Sequence, residues 1–210
     1  MSKKLDKKHW YDGWIYSKII DTKSIPFRYK IFDFINKSST VLDVGCGTGG
    51  FTMEISKHCK RVVGIDVSKK QIDYANKRVN SENKSNIEFK HVHAAHIADE
   101  LKCEFDYAVF TFMIHEISQL ERLSVLTEIS KCAKKVVILE YNVPHPYNFW
   151  GIATRLIEFF AGWNHFSNFL DFIKQGGIKQ ILDTAGFEVI NTRTNRQNIF
   201  MIVSANKDTN

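Results

Sequence analysis

Little in this chain would break or cross-link a fold. Only three prolines occur in 210 residues, Pro26, Pro144 and Pro146, and no stretch is repeated or low in complexity. A Pro-rich linker and a repeat solenoid are therefore excluded. The four cysteines, Cys46, Cys59, Cys103 and Cys132, are widely spaced and form no CxxC pair. A disulfide framework or zinc ribbon does not fit that spacing, and reduced thiols in a cytoplasmic protein are expected. No apolar run approaches the roughly 18–20 residues that cross a bilayer. The first residues, Met1-Ser2-Lys3-Lys4-Leu5-Asp6-Lys7-Lys8, lead into Trp10 and Tyr11 rather than into the apolar core of a secretion signal. Blocks of five or more Lys/Arg are also missing, although the net charge is +6 and the pI about 9.0. Scattered lysines read as a solubilising surface; attraction to nucleic acid or another anion is the alternative.

What is present suits one globular domain. The chain is 44% hydrophobic and 25% charged, enough apolar material for a sizeable core. Short apolar runs alternate with amphipathic stretches. Strands are predicted at 40–44, 61–66, 87–92, 105–112 and 135–142. Helices are predicted at 25–36, 49–58, 68–82 and 120–132, with Ser68 a candidate N-cap. Such alternation implies βαβ units, an α/β class and a mostly parallel sheet. After Pro146 the pattern changes. Aromatic-rich helices are predicted at 148–162 and 166–174, another at 178–185, and then strands at 187–193 and 198–204. Two strands in quick succession leave no room for a parallel crossover, so they should pair antiparallel.

The most informative segment is Val41-Leu42-Asp43-Val44-Gly45-Cys46-Gly47-Thr48-Gly49-Gly50, a strand running into a glycine turn and a helix. Gly45, Gly47 and Gly50 satisfy the G-x-G-x-x-G dinucleotide pattern. Asp43 argues against that ligand, because a carboxylate at the loop would repel a pyrophosphate. It suits a cofactor with a cationic end, such as the ammonium and sulfonium of S-adenosylmethionine. Asp66 ends the next strand and can accept hydrogen bonds from two ribose hydroxyls, a feature common to both cofactors.

VLDVGCGTG followed by VVGIDVS resembles the first two motifs of the class I, Rossmann-like S-adenosylmethionine-dependent methyltransferases. FDYAVFTFMIHEI is similar to the fourth-strand motif of the small-molecule branch. The resemblance covers about residues 25–205, most weakly before Val41 and between Asn148 and Gly176. It implies a seven-stranded sheet in the order 3-2-1-4-5-7-6, strand seven antiparallel, with helices on both faces and a helical cap. Residues 1–210 then form one domain, with an N-terminal helical lid over 1–37 and an aromatic insertion over 145–176.

By the same resemblance, Asp43 and the backbone of Gly45, Cys46 and Gly47 line the methionine end of the cofactor. Asp66 holds the ribose, and Val67 packs on the adenine unless it is ordinary core. Cys46 is a small filler rather than a nucleophile. The third-strand motif departs from the family: His93 stands where relatives have an acid that accepts from the adenine amino group, and the Ala94 N–H faces a ring nitrogen. His91, His93 and His96 also spell H-x-H-x-x-H, a metal-like spacing, but the expected assignment is adenine contact and no metal. Thr111 and Phe112 are expected beside the cofactor. His115 is the candidate general base, with a loop-ordering role for His115-Glu116 as the alternative. Strand five delivers Glu140, Tyr141 and Asn142, followed by His145 and Tyr147. Tyr16 is the candidate lid residue over the cofactor. The leading expectation is a small-molecule methyltransferase. An RNA methyltransferase is the second reading and a non-catalytic Rossmann binding protein the third.

Overall fold

A computed structural model describes residues 26–208, apart from Asn83 and Cys103. Tyr16 and most of the segment expected to form an N-terminal lid lie outside the described residues. Seven strands, β1 (Thr40–Val44), β2 (Arg61–Asp66), β3 (Ile87–His91), β4 (Phe105–Thr111), β5 (Ala133–Tyr141), β6 (Phe187–Thr194) and β7 (Phe200–Lys207), form one sheet. Its order is β3-β2-β1-β4-β5-β7-β6. The first five strands pair parallel, and β7 runs antiparallel between β5 and β6. This is the order and direction expected from the sequence.

Burial explains why the central strands read as largely apolar runs. Val41, Leu42 and Val44 of β1, and Val136 through Leu139 of β5, have essentially no exposed surface. Consecutive strand residues point to opposite faces, so both faces of the sheet are covered. The covering helices are α1 (Gly50–Ile55), α2 (Lys69–Glu82), α3 (Ile97–Leu101), α4 (Gln119–Cys132), α5 (Phe149–Phe160), α6 (Trp163–Lys174) and α7 (Gly177–Thr184). Short 3-10 turns lie at Tyr29–Asp33, Ala94–His96 and Ile114–Glu116. The helix predicted at 25–36 is therefore mostly a 3-10 turn. Among the described residues, no helix is long and apolar enough to cross a membrane.

The region after β5 divides its aromatics. Phe169 and Phe172 of α6 are wholly buried in the main core. Phe149, Phe160 and Trp163, at 74%, 78% and 72% exposed, are not. Helix α5 leans on α6, and α6 packs on the Ile114–Glu116 turn, α4 and α7. Arg122 of α4 is buried and fastens these parts. Its Nε donates to the Ile114 carbonyl at 2.9 Å, and its two terminal nitrogens donate to Asp171 and to the Asn168 carbonyl at 2.8 and 2.6 Å. The turn after β4 and the insertion are thereby held as one unit.

Candidate active site

The chain leaves β1 toward β2 on one side, while β4 lies on the other. A crevice at such a reversal, beyond the carboxyl ends of the strands, is where open α/β sheets bind ligands. The loop after Val44 enters it with Gly45, Gly47 and Gly49 at φ of 74°, 55° and 75°. These left-handed conformations favour glycine. A Cβ on Gly45 would lie 2.9 Å from Met113 Cγ, and one on Gly47 2.8 Å from Gln71 Oε1. The left-handed third glycine is Gly49, whereas Gly50 opens α1. The loop therefore follows D-x-G-x-G-x-G from Asp43 rather than the dinucleotide spacing through Gly50.

Several backbone donors of this loop are already used. The N–H groups of Gly45 and Cys46 both bond the Ile65 carbonyl, at 2.9 and 3.0 Å. The Gly47 N–H donates to Asp66 Oδ2 at 2.9 Å. A pyrophosphate cradle needs such donors turned toward its ligand. The expectation that these three backbone units line the ligand is thus narrowed to shape and to carbonyl oxygens. Asp66 Oδ1 accepts the Ser68 N–H at 2.8 Å, so its carboxylate braces the loop against β2. Each carboxylate oxygen keeps a second lone pair for a hydroxyl. Burial pushes the Asp66 pKa up.

Asp43 is 1% exposed, in the centre of the sheet. Thr52 donates to its Oδ2 at 2.6 Å, while its buried Oδ1 has no hydrogen-bond partner. Burial raises its pKa to about 6, against the opposing influence of the Thr52 hydrogen bond and the Arg28 guanidinium. Thr52 and Arg28 were not foreseen from the sequence, since neither belongs to a local motif with Asp43. An orphaned carboxylate oxygen beside a loop whose Gly45, Cys46 and Gly47 N–H groups are engaged fits a cationic ligand group. The Cys46 thiol is pushed up by burial and by the neighbouring Asp43 and Asp66 carboxylates, as befits a filler rather than a nucleophile.

Val67 is 45% exposed and so is not core; it leaves an apolar side chain at the surface next to Asp66. Its carbonyl is bonded to His91 Nε2 at 2.9 Å. His93 and Ala94 are half-buried just past β3. The rings of His93 and His96 stand 5.8 Å apart. Among the described residues, His91, His93 and His96 do not converge as a metal-ligand group. Thr111 ends β4, half-buried. Phe112 follows at φ 54°, its ring 5.8 Å from that of Tyr141 and 5.1 Å from that of Phe200.

His115 occupies a different setting from the cleft-facing base expected from the sequence. It has no exposed surface. Its Nδ1 lies 2.7 Å from Glu140 Oε2, so the ring donates there to a carboxylate. Glu140 Oε1 accepts the Ile114 and His115 N–H groups at 2.7 and 3.3 Å, which pins the turn to β5. Burial alone would lower the His115 pKa; the Glu140 and Glu158 carboxylates outweigh it and raise the value to about 9. Buried, with Nδ1 committed to Glu140, the ring is not a cleft-facing base. Glu158 of α5 and His165 of α6 complete the cluster, and Tyr141 donates to Glu158 Oε1 at 2.5 Å. Burial would push the Glu158 carboxyl up, but His115, His165 and the Tyr141 hydroxyl hold it below its ordinary range. The one sequence signal for Glu158 was an acid within the apolar run Leu156-Ile157-Glu158-Phe159-Phe160. His145 is buried on Thr154 at 2.8 Å, and Tyr147 is 85% exposed.

Residues 41–135 match the family model described as a methyltransferase domain. A probable cobalt-precorrin-6B C(15)-methyltransferase (decarboxylating) of Methanococcus maripaludis is 36% identical over 110 residues, 52% of this chain and 59% of that protein. The magnesium-protoporphyrin O-methyltransferase of Rhodobacter capsulatus is 32% identical over 100 residues, 47% of this chain and 42% of that protein. The chain thus spans about half the length of these curated relatives. Among solved structures, the N-methyltransferase NodS of Bradyrhizobium japonicum, in complex with S-adenosyl-L-homocysteine, superimposes with a TM-score of 0.65 at 13% identity, covering 97% of this chain and 96% of that one.

Proposed function

We propose that this chain, which has the fold of the class I S-adenosylmethionine-dependent methyltransferases, transfers a methyl group from S-adenosylmethionine to a small-molecule acceptor. What carries the reading is Asp43: a buried carboxylate with one oxygen unpartnered, at a glycine loop whose Gly45, Cys46 and Gly47 N–H groups are engaged within the chain. When bound, the cofactor supplies a methyl group activated by its sulfonium and leaves as S-adenosylhomocysteine.

The chain's own residues bind and orient. Asp43 offers a carboxylate to the ammonium end, and Gly45, Cys46 and Gly47 allow close approach. Asp66 accepts from the ribose hydroxyls, and Val67 provides an apolar surface for the adenine. His93 and Ala94 meet its polar edge, and Thr111 and Phe112 flank the methyl side. In-line displacement depends on alignment and on exclusion of water. Proton removal is needed only from a protonated acceptor. His115, wholly buried with Nδ1 committed to Glu140, is not placed to supply it. The curated relatives, about half of whose length this chain spans, are by name a cobalt-precorrin-6B and a magnesium-protoporphyrin methyltransferase, which favours a small acceptor over RNA.

Calorimetry with S-adenosylhomocysteine and NAD tests the cofactor assignment. Binding of the former alone is expected; tight binding of NAD alone would overturn it. A screen with labelled S-adenosylmethionine against metabolite and RNA pools tests the acceptor class. Label confined to RNA would replace the small-molecule reading.

A further inference from the structure

We propose that His115, Glu158 and His165 form a binding site for one divalent metal ion of the zinc class. Three separate elements bring them together: the turn after β4, α5 and α6. One ligating atom from each lies within 4.8 Å of the others. His115 Nε2 is 3.7 Å from Glu158 Oε2, and His165 Nε2 bonds that same oxygen. Among the described residues this is the one group of its kind.

The decisive observation is His115 Nε2. It is buried and has no hydrogen-bond partner, while Nδ1 of the same ring is committed to Glu140. A carboxylate on one imidazole nitrogen is how metal-binding histidines are commonly oriented, because it directs the lone pair of the other nitrogen at the ion. Glu158 is prepared in the same way. Tyr141 occupies Oε1, leaving Oε2 as the atom nearest both imidazoles.

Energetics point the same way. Taking carboxylates out of water costs several kcal/mol each unless positive charge and hydrogen bonds compensate. Glu140 and Glu158 are both wholly buried around one imidazole. Such a cage favours a cation, and a divalent ion delivers the charge at Nε2 in exchange for protons. Zinc–nitrogen and zinc–oxygen bonds of about 2.0–2.1 Å place tetrahedral ligand atoms roughly 3.3 Å apart. The 3.7 Å His115–Glu158 separation is close to that. The His165–Glu158 hydrogen bond opens to admit the ion. Two imidazoles and one carboxylate suit zinc, cobalt, nickel or ferrous iron, whereas calcium and magnesium prefer all-oxygen shells. Three protein ligands leave a position open for a water or another small oxygen donor. The metal assignment stands apart from the methyl-transfer reading.

The test uses the full chain, stripped with a chelator and titrated with Zn²⁺ and Co²⁺. One equivalent is expected to bind, raising the thermal midpoint with Zn²⁺ and giving intense visible d–d bands with Co²⁺. Glu158→Gln and His165→Gln should each weaken binding by at least about 10-fold, the range for a disturbed metal shell. His91→Ala with His96→Ala should leave it unchanged. X-ray absorption on the zinc-loaded wild type should show two imidazoles with oxygen, a readout that needs no variant to fold. Failure to take up a stoichiometric ion, uptake indifferent to Glu158→Gln and His165→Gln, loss through the His91/His96 double variant, or a sulfur-containing shell would each overturn the site. None of these readouts involves the methyl donor.

Discussion

At the scale of single residues, Asp43 shows a site held at the expense of stability. Its folded-state pKa of about 6 lies above the ordinary 3.8, so the folded chain binds this proton more tightly than the unfolded chain does. The stability it contributes is fully present below about pH 3.8 and is lost as pH rises through about 6. Above that, the ionised carboxylate costs up to about 3 kcal/mol, at 1.36 kcal/mol per unit. Asp43→Asn should therefore stabilise the ligand-free chain by about 1–3 kcal/mol at pH 7.5, with the gain shrinking toward pH 4. Denaturant titrations at the two pH values measure this; equal stability of variant and wild type at pH 7.5 would contradict it. The same variant should bind S-adenosylhomocysteine more weakly. Asp66 is also pushed up by burial, but its carboxylate accepts two backbone N–H groups that hold the loop. Asp66→Ala strands the Gly47 and Ser68 N–H groups and should cost roughly 1–3 kcal/mol of ligand-free stability. Unchanged thermal unfolding would mean that the loop does not depend on this brace.

At the scale of elements, α4 begins with a reciprocal cap. The Ser118 side chain accepts from the Glu121 N–H, and the Glu121 carboxylate accepts the Ser118 N–H at 2.9 Å. Ser118→Ala should cost about 0.5–2 kcal/mol, read as a lower thermal midpoint. Because this cap follows the Ile114–Glu116 turn, it should also weaken the metal affinity proposed for His115, which titration of the same variant measures. The element pattern was readable where local chemistry was decisive. The bounds of β1 and β2 agree with the reading because their apolar runs meet Gly45 and Asp66. The last strand was less legible: β7 starts at Phe200 rather than 198, because the Asn195 side chain takes the Ile199 and Phe200 N–H groups into a turn. It then runs on to Lys207, held by pairing with β5 and β6 through polar residues that look like loop. The glycine loop and Asp66 were legible because their meaning is local. The His115 cluster was not, because Glu158 and His165 reach it only through the packing of α5 and α6.

For the whole molecule, ligand specificity becomes a property of stability. A ligand that binds only the folded chain stabilises it by about 2.7 kcal/mol at a hundredfold excess over its Kd. S-adenosylhomocysteine should therefore raise the unfolding midpoint, and NAD at equal concentration should not. A matching rise with NAD would contradict the cofactor assignment. Core anchors behave differently. Phe169, wholly buried against Tyr141 with ring centroids 5.1 Å apart, should cost about 3–5 kcal/mol when replaced by alanine. Denaturant unfolding of Phe169→Ala measures it, and a loss under about 1 kcal/mol would show that the insertion is not part of the same cooperative unit.

The position of β1 between β2 and β4 also sets an order of events during synthesis. As the chain emerges, β1, β2 and β3 can pair with one another first. The other edge of β1 has no neighbour until Phe105–Thr111 has been made, and β5 waits for β7, which closes at Lys207. Until then Val41, Leu42 and Val44, wholly buried in the finished sheet, border an open strand edge. Open apolar edges recruit other chains. Nascent chains stopped before Phe105 should therefore associate with chaperones or with each other. The Asp43 loop, where Gly45 lies against Met113, gains that neighbour only after β4 has been made.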